Sequence, residues 1–416
     1  MVRRVGLLFL VLASLIEVRL MANPPEVWPQ WRGPTRDGLV SGTGKWPERL
    51  SRDLLEKIWR VPLGRSYSGP IVDASHIYVT ESKDNREFVR GLDRKTGQQV
   101  WEASWDGSMS VPFFANSNGN WIRATPCLDG DRLYVAGMRD VLVCLNAKDG
   151  QTQWQFDFVK ELKSPLPAFG FVCSPLIEGE HLYVQAGAAV CKLDKLTGKL
   201  IWRAMEDGGG MGGSAFSSPI VSNVAGQRQL LVQTREKLAG LELESGEPLW
   251  SETIPSFRGM NILTPTIFGN SVFTSSYGGK SHLFQLAKSN SGLSATSLWT
   301  NKASGYMSTP VVIDGHVYLH LQNQRFTCIE LATGTTRWTT TPYGKYWSMV
   351  ANGDRILALD QRGDLLLIQA NPAKFELLGT LKISEDETWA HLAICDNEVF
   401  IRELSGMVVY RWKYKK

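Results

Sequence analysis

The stretch LDKLTGKLIW (193–202) decides the fold, because the chain writes it again and again. LDRKTGQQVW (92–101), LNAKDGQTQW (145–154), LELESGEPLW (241–250) and ELATGTTRW (330–338) follow the same plan. Each sets an Asp, Asn or Glu four residues before a Gly and eight before a Trp: Asp93/Gly97/Trp101, Asn146/Gly150/Trp154, Asp194/Gly198/Trp202, Glu242/Gly246/Trp250 and Glu330/Gly334/Trp338. That spacing describes a β-hairpin. The polar side chain ends one strand and can bond the turn amides. The Gly supplies a positive φ, and the Trp, on the next strand, lays a large surface against a neighbour.

A second pattern precedes each hairpin. A Ser, Thr or Gly before Pro leads a short apolar run, a polar turn and a strand that usually carries Tyr, as in SPLIEGEHLYV (174–184), ATPCLDGDRLYV (124–135) and STPVVIDGHVYL (308–319). Two hairpins per unit make four antiparallel strands. Trp residues at 59, 101, 154, 202, 250, 299 and 338 recur at steps of 42, 53, 48, 48, 49 and 39 residues. A period near 40–50 with four strands predicts one blade of a β-propeller per repeat. The fifth repeat carries an insertion before Trp299, and the seventh (347–370) lacks Pro and Trp but keeps the strand rhythm. The eighth (391–413) supplies only three strands, and EKIWRVPL (56–63) offers the fourth. The expectation is therefore an all-β, single eight-bladed propeller, closed by pairing the N-terminal strand with the last blade, which leaves no open sheet edge. Seven blades is the alternative, if one degenerate repeat is absorbed into a loop.

Around this core, Arg3 and Arg4 precede an apolar run from Val5 to Ile16, short for a membrane span but suited to an export signal ending near Ala22. Glu17, Arg19 and Leu20 make that cleavage site imperfect, so an uncleaved anchor stays open. The expected division is a signal over 1–22, a leader over 23–55 and the propeller over 56–416, with the mature protein periplasmic or otherwise exported. A net charge of +4 over 416 residues, with basic clustering only at Lys413, Lys415 and Lys416, argues against nucleic acid. Beyond the export segment the chain predicts peripheral membrane contact or none.

Polar chemistry is sparse. The six cysteines (Cys127, Cys144, Cys173, Cys191, Cys328, Cys395) include no adjacent pair and no Cys-x-x-Cys, and read as small buried hydrophobes, with one disulfide left open. His316 and His320 share a strand face but stand about 13 Å apart, too far for one metal. The acids at Asp129, Asp131, Glu178 and Asp354 read as turn formers, and DGGGMGGSAFSS (207–218) lacks the Gly-Lys-Ser/Thr of a phosphate loop.

The Asp-x-x-x-Gly-x-x-x-Trp hairpin with its Ser/Thr-Pro strand resembles the tryptophan-docking repeat of the PQQ-like, quinoprotein-type propeller family over residues 59 to about 413. VWPQWRGPTRDG (27–38) is similar to the leader of PQQ-binding-like repeat proteins of planctomycete-type bacteria and to the N-terminal segment of quinoprotein alcohol dehydrogenases. The resemblance implies one of two uses. One is oxidation with pyrroloquinoline quinone (PQQ) and calcium. The other is non-enzymatic scaffolding, as in the outer-membrane assembly propeller, whose length is close to this one. The oxidoreductase reading asks for an adjacent Cys-Cys pair and a convergent Glu, Asn and Asp, and these residues are not assignable here. The expectation is a scaffold with no cofactor, no metal and no catalytic residue. Its partner is a protein, a peptide or a polysaccharide in the cell envelope.

Binding is expected where the loops between blades emerge on one face, since loops on a rigid frame carry function. Tyr67, Trp121, Arg123, Phe171, Phe216, Arg258, Asn261, Tyr306, Tyr346, Trp347, Trp389 and His391 are the candidates, an aromatic and Arg-bearing set suited to a protein partner.

Overall fold

The computed structural model describes residues 27–40, 44–107, 109–209, 215–290 and 292–413. The expected signal over 1–22 lies outside them. Eight four-stranded antiparallel sheets form the ring, so the count is eight and not seven. Blade 1 holds Ile71–Val72, His76–Lys83, Arg86–Asp93 and Gln99–Asp106, and blades 2 to 7 follow in chain order. Blade 8 takes Ala393–Cys395, Glu398–Glu403 and Gly406–Trp412 from the C-terminus and Leu55–Pro62 from the N-terminus. The closing pair runs antiparallel from Leu55 opposite Trp412 to Pro62 opposite Gly406.

The repeat hairpins form as their residues dictate. The Asp194 carboxylate accepts from the Leu196 and Thr197 amides and the Thr197 hydroxyl, and the Gly198 amide donates to the Asp194 carbonyl. Asp93 and Glu242 cap their turns in the same way. The Gly has a second duty that its φ does not reveal. At Gly198 (φ +71°) a Cβ would sit 2.6 Å from the indole of Trp154, on the preceding blade. Each docking Trp lies flat on the turn of the following blade: Trp59 on Gly97, Trp101 on Gly150, Trp154 on Gly198, Trp202 on Gly246 and Trp299 on Gly334.

What aims the Trp is a β-bulge. In blades 1 to 6 the register slips by one residue just before the Trp, for example between Gly91 and Leu92 opposite Trp101, and between Cys144 and Leu145 opposite Trp154. The same slip precedes Trp59. A bulge re-aims a side chain and adds twist. Here it lets the indole N–H reach a carbonyl of the next blade: Trp59 to Arg94, Trp101 to Ala147, Trp154 to Lys195, Trp202 to Leu243, Trp299 to Leu331 and Trp338 to Asn371, all at 2.7–3.2 Å. Trp250 departs from this rule. The fifth blade extends its outer hairpin to Ser281–Ser289 and Gly292–Asn301, and Trp250 donates inward to Gln229 of its own blade at 2.6 Å.

The Ser/Thr before Pro also has a structural duty. Its hydroxyl accepts the backbone N–H of the equivalent residue one blade earlier: Gly69 to Thr125, Thr125 to Ser174, Ser174 to Ser218 and Thr264 to Thr309. An inner belt of hydroxyls and an outer belt of indoles thus tie most neighbouring blades together. The six cysteines are buried and form no disulfide among the described residues, and Cys144 and Cys328 stand opposite Trp154 and Trp338.

Candidate binding face

The axis of the ring is filled by the leader. Residues 27–40 run across the channel. Trp28 bridges to Val72 of blade 1, Pro29 accepts from the Leu128 amide of blade 2, and Leu39 pairs with Ala351 of blade 7. Two arginines fasten it from within. Arg32 donates to the Thr309 and Pro310 carbonyls of blade 6 at 2.8 and 2.6 Å. Arg36 donates to the Ser174 and Pro175 carbonyls of blade 3 at 3.0 and 2.8 Å. Both are 1% exposed, and burial lowers each guanidinium to about 10. Gly33 (φ +90°) lets the leader turn where a Cβ would meet the Trp28 ring at 2.9 Å. The chain then passes along blade 7, where the Leu50 amide donates to the Leu378 carbonyl, before entering blade 8.

The plug divides the channel. On the side of the inter-blade loops it leaves a cavity of about 160 Å³ whose walls come from all eight of those loops, with Trp31 of the leader among them. Trp31 is fixed by its N–H to the Thr264 hydroxyl (3.0 Å) and by edge contact with His391 at 4.8 Å. The opposite mouth, of about 570 Å³, is lined by Arg32, Arg36, Asp37, Glu178 and Arg228 among others, and is more polar.

Of the expected face residues, Tyr67, Arg123, Phe216, Tyr306, Trp347, Trp389 and His391 line the loop-side cavity. Two more stand directly behind them. Trp121 meets Tyr67 edge-on at 5.3 Å, and Tyr346 stacks on Trp389 at 3.9 Å, nearly parallel. Three lie elsewhere. Phe171 is 2% exposed and packs on Phe158 in the interface between blades 2 and 3. Asn261 is buried, and its amide donates to the Arg235 and Ile254 carbonyls, pinning the adjoining loop. Arg258 is exposed and lies over the rings of Phe257 and Phe114, beside the cavity. Sequence reasoning missed Trp31, Phe169, Met260 and Met307 as wall residues. Phe169, Met260 and the Trp-rich leader are visible as composition, but nothing local says that they meet at the axis.

The aromatic contacts continue around the rim. Trp121, Tyr67, Trp389, Tyr346, Tyr306, Tyr277 and Phe257 form one chain of ring contacts with centroid spacings of 3.9–5.9 Å. Arg258 joins it to Phe114, which meets Phe113 and Phe169. Phe113 is 85% exposed. Burial lowers His391 to about 3, so it is neutral in any physiological range. Burial raises the Tyr67 phenol, reinforced by Glu387, and raises Tyr346 to about 12. Burial also pulls Arg123 down to about 10, opposed by the Tyr67 and Tyr346 phenols. Arg123 donates to the Asn118 and Gly119 carbonyls, and its Nε has no partner.

This donor set does not fit calcium, which takes six or more oxygens and favours carboxylates. The cavity wall offers the oxygens of Asn118, Ser174, Ser218, Thr309 and Ser348 but no carboxylate. Several of those hydroxyls already accept backbone N–H groups. Among the described residues no three His, Cys, Asp or Glu converge, and no helix is long and apolar enough to cross a membrane.

A sequence profile described as "Outer membrane protein assembly factor BamB" matches residues 85–340. Curated relatives of that name are 23% identical in Yersinia pestis, over 68% of this chain and 70% of the relative, and 22% identical in Moranella endobia, over 74% and 79%. The crystal structure of BamB from Moraxella catarrhalis superposes with a TM-score of 0.64 at 15% identity, over 87% of this chain and 99% of that one. The quinohemoprotein alcohol dehydrogenase ADHIIG from Pseudomonas putida HK5 also gives 0.64, at 12% identity, over 94% and 81%. At these identities the structural matches speak to the fold alone.

Proposed function

Because the chain belongs to the PQQ-like propeller family described as outer membrane protein assembly factor BamB, we propose that it is a non-catalytic scaffold that binds a protein partner through its loop face. The observation that carries this reading is the aromatic rim. A continuous run of rings surrounds a small apolar cavity, and Phe113, Phe114 and Phe257 stand exposed beside it. Contiguous aromatic surface left exposed on a folded domain marks an interaction site. Arg, Trp, Tyr and Phe are the residues that protein interfaces favour. The scaffold acts in the cell envelope, after export by the N-terminal segment, and serves the assembly of outer-membrane proteins. The named relatives and the basic-then-apolar start of the chain support that placement.

The test is site-specific photo-cross-linking in cells. A photoreactive residue at Phe113 or Phe257 is expected to trap envelope proteins, and one at Thr35, on the opposite mouth, is not. Equal yields from both mouths would overturn the reading. Reconstitution of the purified protein with PQQ and calcium provides the second arm. Stoichiometric binding with dye-linked alcohol oxidation would replace the scaffold by an oxidoreductase.

A further inference from the structure

Resting on that reading of the loop face, we infer that the segment it binds is an acidic peptide bearing one aromatic anchor side chain. Two separate features carry this, one of space and one of charge.

The space is the cavity. Its volume of about 160 Å³ matches the size of cavity that accepts a single benzene-like ring. Trp31, Phe169, Phe216, Tyr306 and Trp389 offer ring faces and edges to such a guest, and offset or edge-on contacts add to the burial. The exposed Phe113, Phe114 and Phe257 stand outside the cavity wall, so the surface suits a longer chain that leaves only its anchor inside.

The charge stands around the mouth. Arg65 lies over Trp121 at 5.1 Å, Arg123 over Tyr67 at 5.9 Å, Arg258 over Phe257 at 5.1 Å and Lys345 over Tyr346 at 5.1 Å. None of the four enters an ion pair among the described residues. The same rim also carries three acids, Glu385, Asp386 and Glu387, which line one hollow together with Lys345. Glu387 accepts from Tyr67 and Gln361, Asp386 accepts from Ser405, and Glu385 faces Lys382 at 3.9 Å. A cation laid on a ring is held in place while its outer side stays free for a carboxylate. The mouth therefore presents Arg65, Arg258 and Lys345 on its outer side and Arg123 on the cavity wall, four cations against three acids, around a pocket walled mainly by rings. Its complement is negative outside and aromatic at the centre.

The test uses fluorescence anisotropy with the purified protein and three short synthetic peptides. One has a single Phe flanked by Asp and Glu, one has that Phe changed to Ala, and one has the Phe flanked by Lys. The acidic Phe peptide is expected to bind at least about tenfold more tightly than either comparator, and more weakly as salt rises. Arg258→Gln and Lys345→Gln, both exposed, should each weaken it. Val172→Trp, which fills the cavity without touching charge, should abolish the preference for Phe over Ala. Arg123→Gln should weaken binding most. Because Arg123 also holds two loop carbonyls, the other three variants carry the test if this one fails to fold. Equal or tighter binding of the Lys-flanked peptide, or no binding of the acidic one, overturns the inference. Loop-face cross-links in cells combined with that failure would overturn it alone. Loss of both would remove the underlying reading as well.

Discussion

The rim and the axis of this ring solve one problem in opposite ways. At the rim, blades 8, 1, 2, 3 and 5 are each joined to the next by the same small device: an indole on a glycine turn, with its N–H on a neighbour's carbonyl. At the axis, a single unrepeated segment touches blades 1, 2, 3, 5, 6 and 7 through Trp28, Pro29, Arg36, Trp31, Arg32 and Leu39. The rim is modular, so losing one contact leaves the others intact. The axis is shared, so losing one contact leaves buried polar groups at the centre without partners.

That difference predicts an order of damage. Arg36→Met should cost most, about 3–5 kcal/mol, because it strands the Ser174 and Pro175 carbonyls at the channel centre. Thermal or urea unfolding measures it, and a loss under about 1 kcal/mol would make the plug a passenger. Trp154→Ala should cost about 3 kcal/mol through lost burial between blades 2 and 3. Gly198→Ala should cost about 2 kcal/mol, more than Gly130→Ala, since both have positive φ but Gly130 faces open space. In a Trp154→Leu background the two glycine penalties should converge. If they do not, the docking account of the repeat Gly is wrong.

Glu87 and Asp140 are buried acids that cap the next blade's turn through the Met138 and Gly187 amides. Burial raises both to about 7. Their folded values exceed their unfolded ones, so the native state binds more protons and their contribution to stability falls as pH rises from about 4 to about 7. Glu87→Gln and Asp140→Asn should each flatten that fall in a series of urea midpoints against pH. The smallest effect belongs to the turn acids. Asp93→Ala, on an exposed turn, should cost about 1 kcal/mol or less.

Much of this was legible in the chain. The Trp spacing predicts the blades, and the short eighth repeat predicts the closure that Leu55 and Trp412 make. The loops that converge on one face were also legible, because the strand order leaves them nowhere else to go. Within those loops, single residues were harder to place. Phe171 and Phe216 look alike in sequence, yet one packs on Phe158 in the core and the other lines the cavity. A loop's position follows from topology, but a side chain's direction follows from backbone angles set by neighbouring blades.

The ring is readable from the chain alone, because hairpin chemistry is local and five repeats carry their own turn acid or Asn, glycine and indole. What the face is made of is readable there too. That residues 27–40 fill the axis emerges only in the folded ring, since the contacts of Arg32 and Arg36 span 138 to 278 positions and leave no periodic trace. Only the folded ring shows where the bulges aim each Trp, why Trp250 turns inward, and that the aromatic loops close around one cavity ringed by cations. Contacts made across the ring depend on its closure, and closure is a property of all eight blades together.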